Sequence, residues 1–161
     1  MKRIAFVLFG LLFLSPNLQA QQYRTAIGVK GDWSTLNYDL AELSLKHFFT
    51  DRSALEANLG LGRRFIWLEG MYHHNQTLKG DVDWYFGGGV DFGYWNTNYD
   101  SRYDKSTHTG FWAGTTGVVG IEYTAGFIPI NLALDVGPTI RMVPDLEIGL
   151  KIGFALRYAF R

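Results

Sequence analysis

Four histidines, His47, His73, His74 and His108, are the residues best suited to chemistry in this chain. A histidine beside a hydroxyl and an acid can turn the hydroxyl into a nucleophile. His108 lies in "NTNYDSRYDKSTHTG" (96–110) with Ser101, Ser106, Asp100 and Asp104, so one stretch holds all three residue types. Nothing in the spacing fixes their geometry, and ordinary polar loop content accounts for the same composition. His73 and His74 are adjacent, so on a strand they point to opposite faces and cannot share a substrate or a metal. His47 falls on an apolar face beside a tight turn. No His-x-His or acid–His spacing makes a metal site. "FGGGV" (86–90) is glycine-rich but precedes no helix, so it is no phosphate loop. No catalytic residue, metal ligand or cofactor follows from these residues.

The elements that would position such groups are strands. The first twenty residues, "MKRIAFVLFGLLFLSPNLQA", read as a secretory signal peptide. Lys2 and Arg3 form a basic start, Ile4 to Leu14 a short apolar run, and Ala20 a small residue for cleavage before Gln21. A membrane anchor would need a longer run. Residues 21–161 then form one domain. Without Lys2 and Arg3 the chain keeps 13 basic and 15 acidic residues, a net charge of −2. That balance argues against nucleic acid as a partner. The absence of cysteine excludes a disulfide framework and a lipid-modified cysteine.

Large apolar residues alternate with small or charged ones in eight segments after Gln21, and period two means strand. The last segment shows it most clearly: Leu150, Ile152, Phe154, Leu156, Tyr158 and Phe160 interleave with Gly149, Lys151, Gly153, Ala155, Arg157 and Ala159. Helical periodicity is not convincing anywhere. "TDRS" (50–53) and "AGFI" (125–128) read as tight turns at one rim. Residues 32–40, 96–110 and 138–147 read as longer loops at the other. "NQTLKGD" (75–81) is long for a tight turn, and "RRF" (63–65) short for an outer loop. Short turns on one rim and long loops on the other mark outer-membrane barrels.

Alternation alone does not say which face is inside. A soluble ligand-carrying barrel has the same period with Leu59, Phe92, Leu134 and Leu156 inside and the charges outside. Glycine decides against it. The chain has 19 glycines and 4 prolines, and Gly28, Gly60, Gly62, Gly87, Gly89, Gly93, Gly114, Gly120, Gly137, Gly149 and Gly153 all share the charged face. Glycine weakens a strand, so something must require it. A narrow eight-stranded lumen does, because only very small side chains mixed with a few large ones can fill it. Trp67, Tyr85, Trp95 and Trp112 are the large ones. The same face carries Arg24, Lys30, Glu42, Lys46, Glu56, Glu69, Asp83, Asp91, Glu122, Asp135, Lys151 and Arg157, both signs together, as a buried and paired network requires. The opposite face lacks charge through the strand centres. It carries Tyr23, Tyr72, Trp84, Tyr94, Tyr123, Tyr158 and Phe160 towards the strand ends, as an aromatic girdle would. The expected fold is an all-β, eight-stranded, antiparallel up-and-down transmembrane β-barrel.

Three stretches then carry a family resemblance: "LSLKHFFTDRSALEANLGLG" (43–62), "DWYFGGGVDFGYW" (83–95) and "IEYTAGFIPINLALDVGPT" (121–139). With the closing strand they cover almost the whole chain after Gln21. The chain resembles small eight-stranded outer-membrane barrels of the OmpX and OmpA transmembrane-domain type, and more closely the outer-membrane barrel proteins common in Bacteroidetes. The resemblance implies an outer-membrane location, reached through the general secretory pathway. It also implies a monomer with lipid and lipopolysaccharide around it. Phe154, Leu156, Tyr158 and Phe160 resemble the C-terminal signal read by the barrel-assembly machinery, although Arg161 follows where that signal ends on its aromatic. Some barrels of this size modify lipid A with a His and a Ser at a rim, but no such set is fixed here. The expected role is structural or surface-contacting, not enzymatic. Tyr99, Arg102, Tyr103 and Lys105 in the longest loop are the candidate contact residues. An interior filled by side chains implies no general-porin conductance.

Overall fold

The computed structural model describes residues 23–36, 38–61, 65–101 and 104–160. The expected signal peptide lies outside them, as do Gly62, Arg63, Arg102, Tyr103 and Arg161. Eight strands follow one another: β1 (Thr25–Ser34), β2 (Tyr38–Phe48), β3 (Ser53–Leu61), β4 (Phe65–Lys79), β5 (Val82–Ser101), β6 (Asp104–Thr124), β7 (Ile130–Val143) and β8 (Glu147–Phe160). Each pairs antiparallel with the next, and β1 pairs with β8 from Thr25↔Phe160 to Ser34↔Lys151. The sheet is therefore a closed up-and-down barrel in which each strand has a neighbour on both sides, the outer part of the β5–β6 hairpin excepted.

The two faces differ as alternation requires. Val29, Leu43, Leu68, Phe92, Leu134, Phe154 and Leu156 point out of the barrel, each about half exposed. Lys30, Lys46, Glu56, Glu69, Glu122 and Arg157 point in and are buried. This is the reverse of a soluble barrel, and it removes the ligand-carrying alternative. Of the four residues that reading needs inside, Phe92, Leu134 and Leu156 are exposed and Leu59 is only half-buried.

Several loop expectations change. β1 and β2 extend into residues 32–40, leaving only 35–37 between them. Residues 96–110 are mostly ladder, not loop: β5 and β6 stay in register out to Ser101↔Asp104. Backbone hydrogen bonds need no apolar side chains, so a hairpin projecting beyond the apolar belt shows no alternation of hydropathy. Residues 138–147 become the end of β7, a short link and the start of β8. At the other rim "NQTLKGD" shrinks to Gly80–Asp81, with Gly80 at φ +56°, where glycine is at ease. Pro138 thus sits inside a strand. It has no N–H to donate, and the β6–β7 ladder passes from Thr116↔Thr139 to Val119↔Val136 around it.

The interior glycines have direct causes. Tyr85↔Gly120, Gly93↔Trp112, Trp95↔Gly110 and Gly60↔Trp67 are cross-strand partners. At Gly93 and Gly110 a Cβ would collide with the ring of Trp112 or Trp95, and at Gly120 it would come within 2.5 Å of Tyr85 Cζ. Each large side chain occupies the space beside the glycine opposite, so large and small residues fill a narrow bore together.

This pairing gives a test. Gly93→Val should lower the unfolding free energy of the barrel in urea by about 1–3 kcal/mol, the usual cost of overpacking. In a Trp112→Ala background the same change should cost measurably less, because the ring it displaces is gone.

Candidate functional site

The polar interior is the candidate site. It is layered along the barrel axis, starting from the rim that holds both chain ends. There Tyr23, Ala26, Phe48, Ala54 and Ala159 form an apolar plug, with the Tyr23 and Phe48 rings edge-on at 5.2 Å. This corrects two expectations. Tyr23 belongs to the interior, not to the outer girdle, and Arg24 is exposed, not part of the charge network. The cause is a bend at Arg24, just outside β1, which breaks the alternation and turns Tyr23 back over the mouth. The Arg24 N–H donates to the Phe160 carbonyl at 3.2 Å, and its carbonyl accepts from Phe48 N–H at 2.9 Å.

Above the plug, Glu122 gathers three donors. Lys46 Nζ reaches Oε2 at 2.6 Å, while Tyr23 Oη and Asn75 Nδ2 donate to Oε1 at 3.1 and 3.3 Å. Lys46 Nζ also lies 4.5 Å from the centre of the Tyr85 ring, a cation–π contact in a desolvated place. The next layer centres on Glu56. Arg157 Nη2 lies 2.8 Å from its Oε2 and Lys30 Nζ 3.1 Å from its Oε1. Arg157 is held in place by Ser44 Oγ at 2.9 Å and Asn131 Oδ1 at 3.3 Å. Asp135 accepts from Tyr85 Oη at 2.8 Å and faces Lys30 Nζ at 3.3 Å. His73 is fully buried, stacked on Tyr85, with Nδ1 3.6 Å from Glu56.

Further along the axis the balance changes. Asn58 Nδ2 bridges Glu56 and Glu69 at 3.0 and 2.9 Å. Lys151 is hydrogen-bonded to Glu69 and lies 3.2 Å from Asp32. Glu42 is buried in the same region. Gly153 stands opposite both Asp32 and Asp135, and its missing side chain leaves room for their carboxylates and for the Lys30 stem. Trp67 and Trp112 cap this layer with their rings 4.2 Å apart. Asp91 beside them accepts from Thr116 Oγ1 at 2.8 Å. Asp83 lies apart, half-exposed near the plugged rim, where Thr77 donates to it.

Of the twelve charged residues that the sequence places inside, ten are buried together, Asp83 is half-exposed and Arg24 is outside. Phe154, Leu156, Tyr158 and Phe160 form an exposed row on β8. Tyr99 and Lys105 stand on the β5–β6 hairpin backbone, and Arg102 and Tyr103 lie outside the described residues. The three histidines whose side chains are described do not assemble. His47 shares a hydrogen bond with Thr25 at 2.9 Å, His74 packs on Phe86, and His73 is inside. The side chain of His108 lies outside the described residues.

No protein-family model matches the sequence, and no curated protein matches it. The fold does match solved structures. It resembles the N-terminal β-barrel domain of Pseudomonas aeruginosa OprF, with a TM-score of 0.60 at 16% identity over 87% of this chain and 100% of that one. It also resembles the de novo designed protein TMB2.3, with a TM-score of 0.54 at 14% identity over 86% and 95% of the two chains. Ail, the attachment invasion locus protein of Yersinia pestis, aligns at 0.44 and 11% identity over 84% and 97%. The chain has the eight-stranded transmembrane-barrel fold.

The Glu56 layer gives a second test. Glu56→Ala would leave Lys30 and Arg157 buried with less compensation. Breaking one partner of a buried ion network costs about 3–5 kcal/mol. The urea midpoint of the refolded barrel should fall accordingly, whereas Ser53→Ala at the rim should leave it nearly unchanged.

Proposed function

We propose that this protein is an integral outer-membrane β-barrel of the OmpX and OmpA-barrel type, of the kind common in Bacteroidetes. Its role is structural or surface-contacting rather than catalytic. One observation carries the reading: the barrel is inside out relative to a soluble protein, with its charges in the bore and its large apolar side chains on the outer wall. Such a wall is stable only against lipid, since a contiguous apolar belt of this extent in water would drive aggregation. Tyr72, Tyr94, Tyr123 and Tyr158 on that wall suit the interfacial zones of a bilayer. The fold likeness to OprF supports the same location.

Under this reading residues 1–20 are a signal peptide for the general secretory pathway. The exposed row Phe154, Leu156, Tyr158 and Phe160 is what the barrel-assembly machinery reads, and the mature barrel is a monomer in contact with lipid and lipopolysaccharide. The projecting β5–β6 hairpin, with Tyr99, Arg102, Tyr103 and Lys105, is the surface through which it contacts partners outside the cell. Packed aromatic rings and paired charges fill the bore, so it is not a general pore.

Full-length protein expressed in a Gram-negative host should appear in the outer-membrane fraction and change gel mobility on boiling. Recovery as a soluble, unshifted periplasmic protein would overturn the assignment. Leu134→Arg, near mid-belt, should destabilise the barrel in lipid vesicles by about 2–4 kcal/mol, read from urea unfolding. In planar bilayers the wild-type protein should give no steady large open-channel current.

A further inference from the structure

The bore holds more buried acids than bases. Among the described residues its buried acids are Asp32, Glu42, Glu56, Glu69, Asp91, Glu122 and Asp135, against the bases Lys30, Lys46, Lys151 and Arg157. The excess is not spread evenly. Lys46 is matched by Glu122, and Lys30 and Arg157 converge on Glu56. Away from the Tyr23–Phe48 plug, Asp32, Glu42 and Glu69 bring one oxygen each to within 4.8 Å of one another, with Lys151 beside them and Lys30 3.8 Å from Asp32.

Glu42 is the telling member. It is 3% exposed, and neither of its carboxylate oxygens has a hydrogen-bond partner among the described residues. Its side chain passes over Gly60, whose missing Cβ would stand 3.6 Å from Glu42 Cγ, and reaches the other two acids. Asp32 lies 3.2 Å from Lys151 Nζ and 3.8 Å from Lys30 Nζ without a hydrogen bond to either, and Glu69 is held by Lys151 and Asn58. Glu69 therefore keeps a fixed orientation. A buried carboxylate with no donor is costly, and it is tolerated where something else supplies the positive charge.

We infer that Asp32, Glu42 and Glu69 form a binding site for a hard divalent cation inside the barrel. Three carboxylates with no nitrogen or sulfur ligand suit calcium or magnesium rather than a softer metal. Glu42 can give both oxygens, and Asp32 and Glu69 one each beside their existing bonds. A small cavity of about 10 Å³, the room of one water molecule, touches Asp32 of the cluster and is lined also by Trp67, Asp91, Trp112, Arg141 and Lys151. It lies beside the Trp67–Trp112 pair, away from the Tyr23–Phe48 plug. Lys151 competes for the same oxygens, so ion binding shifts its ammonium towards this cavity. The site rests on the bore alone and does not depend on where the barrel resides.

The test uses the refolded barrel in detergent micelles, freed of metal with a chelator and titrated with calcium chloride by calorimetry. The wild-type barrel should take up one calcium per chain. Glu42→Gln should retain the boiling-dependent mobility shift and weaken calcium binding by about tenfold or more, since the number of charged ligands sets affinity. Lys151→Gln should tighten it by removing the competing ammonium. No uptake by wild type, or equal affinity in wild type and Glu42→Gln, overturns the site. If Glu42→Gln yields no shifting barrel, Glu69→Gln takes its place, with the same two outcomes.

Discussion

Closure of the sheet is the constraint on which the rest of this structure depends. Eight strands that pair end to end leave no free backbone edge, but they also leave a bore too narrow for water to solvate what lies within it. Most of the polar groups pointing inward find their partners on other strands. The partners are far apart in sequence for that reason: Lys46 meets Glu122, Lys151 meets Glu69, and Arg157 meets Glu56 and Ser44. Each of these contacts crosses the bore and so ties together strands that do not share a ladder. The charge network thereby does for the interior what apolar packing does for a soluble core, with more geometric discrimination and with a heavier cost where one member lacks its partner.

The same narrowness explains why glycine and tryptophan occur together. A ring directed inward needs the facing position to be empty, and antiparallel pairing decides which position that is. Trp67 faces Gly60, Tyr85 faces Gly120, Trp95 faces Gly110 and Trp112 faces Gly93. Carboxylates use the device too, for Asp91 faces Gly114, and Gly153 is flanked by Asp32 and Asp135. Glycine in these strands is therefore half of a pair. Its cost in strand stability is offset by the packing of its partner.

Much of this is legible in the sequence. Period-two alternation marks eight strands, and the glycines of the charged face indicate that this face turns inward. What was not legible has specific causes. The projecting β5–β6 hairpin reads as a loop because nothing outside the belt imposes alternation on it, while its backbone ladder continues regardless. Tyr23 reads as outward because a single bend at Arg24 reverses the phase, and hydropathy does not report a bend. Pro138 reads as a loop residue because proline disfavours a central strand, yet Gly117 across from it leaves room for the ring. Above all, the sequence shows twelve charges on one face without their pairing. Pairing depends on how far each strand is staggered around the barrel, and that stagger is a property of the closed sheet, not of any one segment.

The unequal sharing of charge along the bore deserves a physical reading of its own. Near the plugged rim the arrangement is complete: Glu122 is saturated by a lysine, a tyrosine and an asparagine, and an apolar layer closes it off. A residual charge there would be unreachable by any ion. At the other end the acids outnumber the bases, and the cover is a pair of indole rings with a small cavity beside them rather than a full apolar layer. The excess of acids thus sits beside the small cavity rather than beneath the apolar plug. Glu42 has no hydrogen-bond donor among its described neighbours. Buried beside Asp32 and Glu69, it supplies the oxygens that the proposed cation site requires.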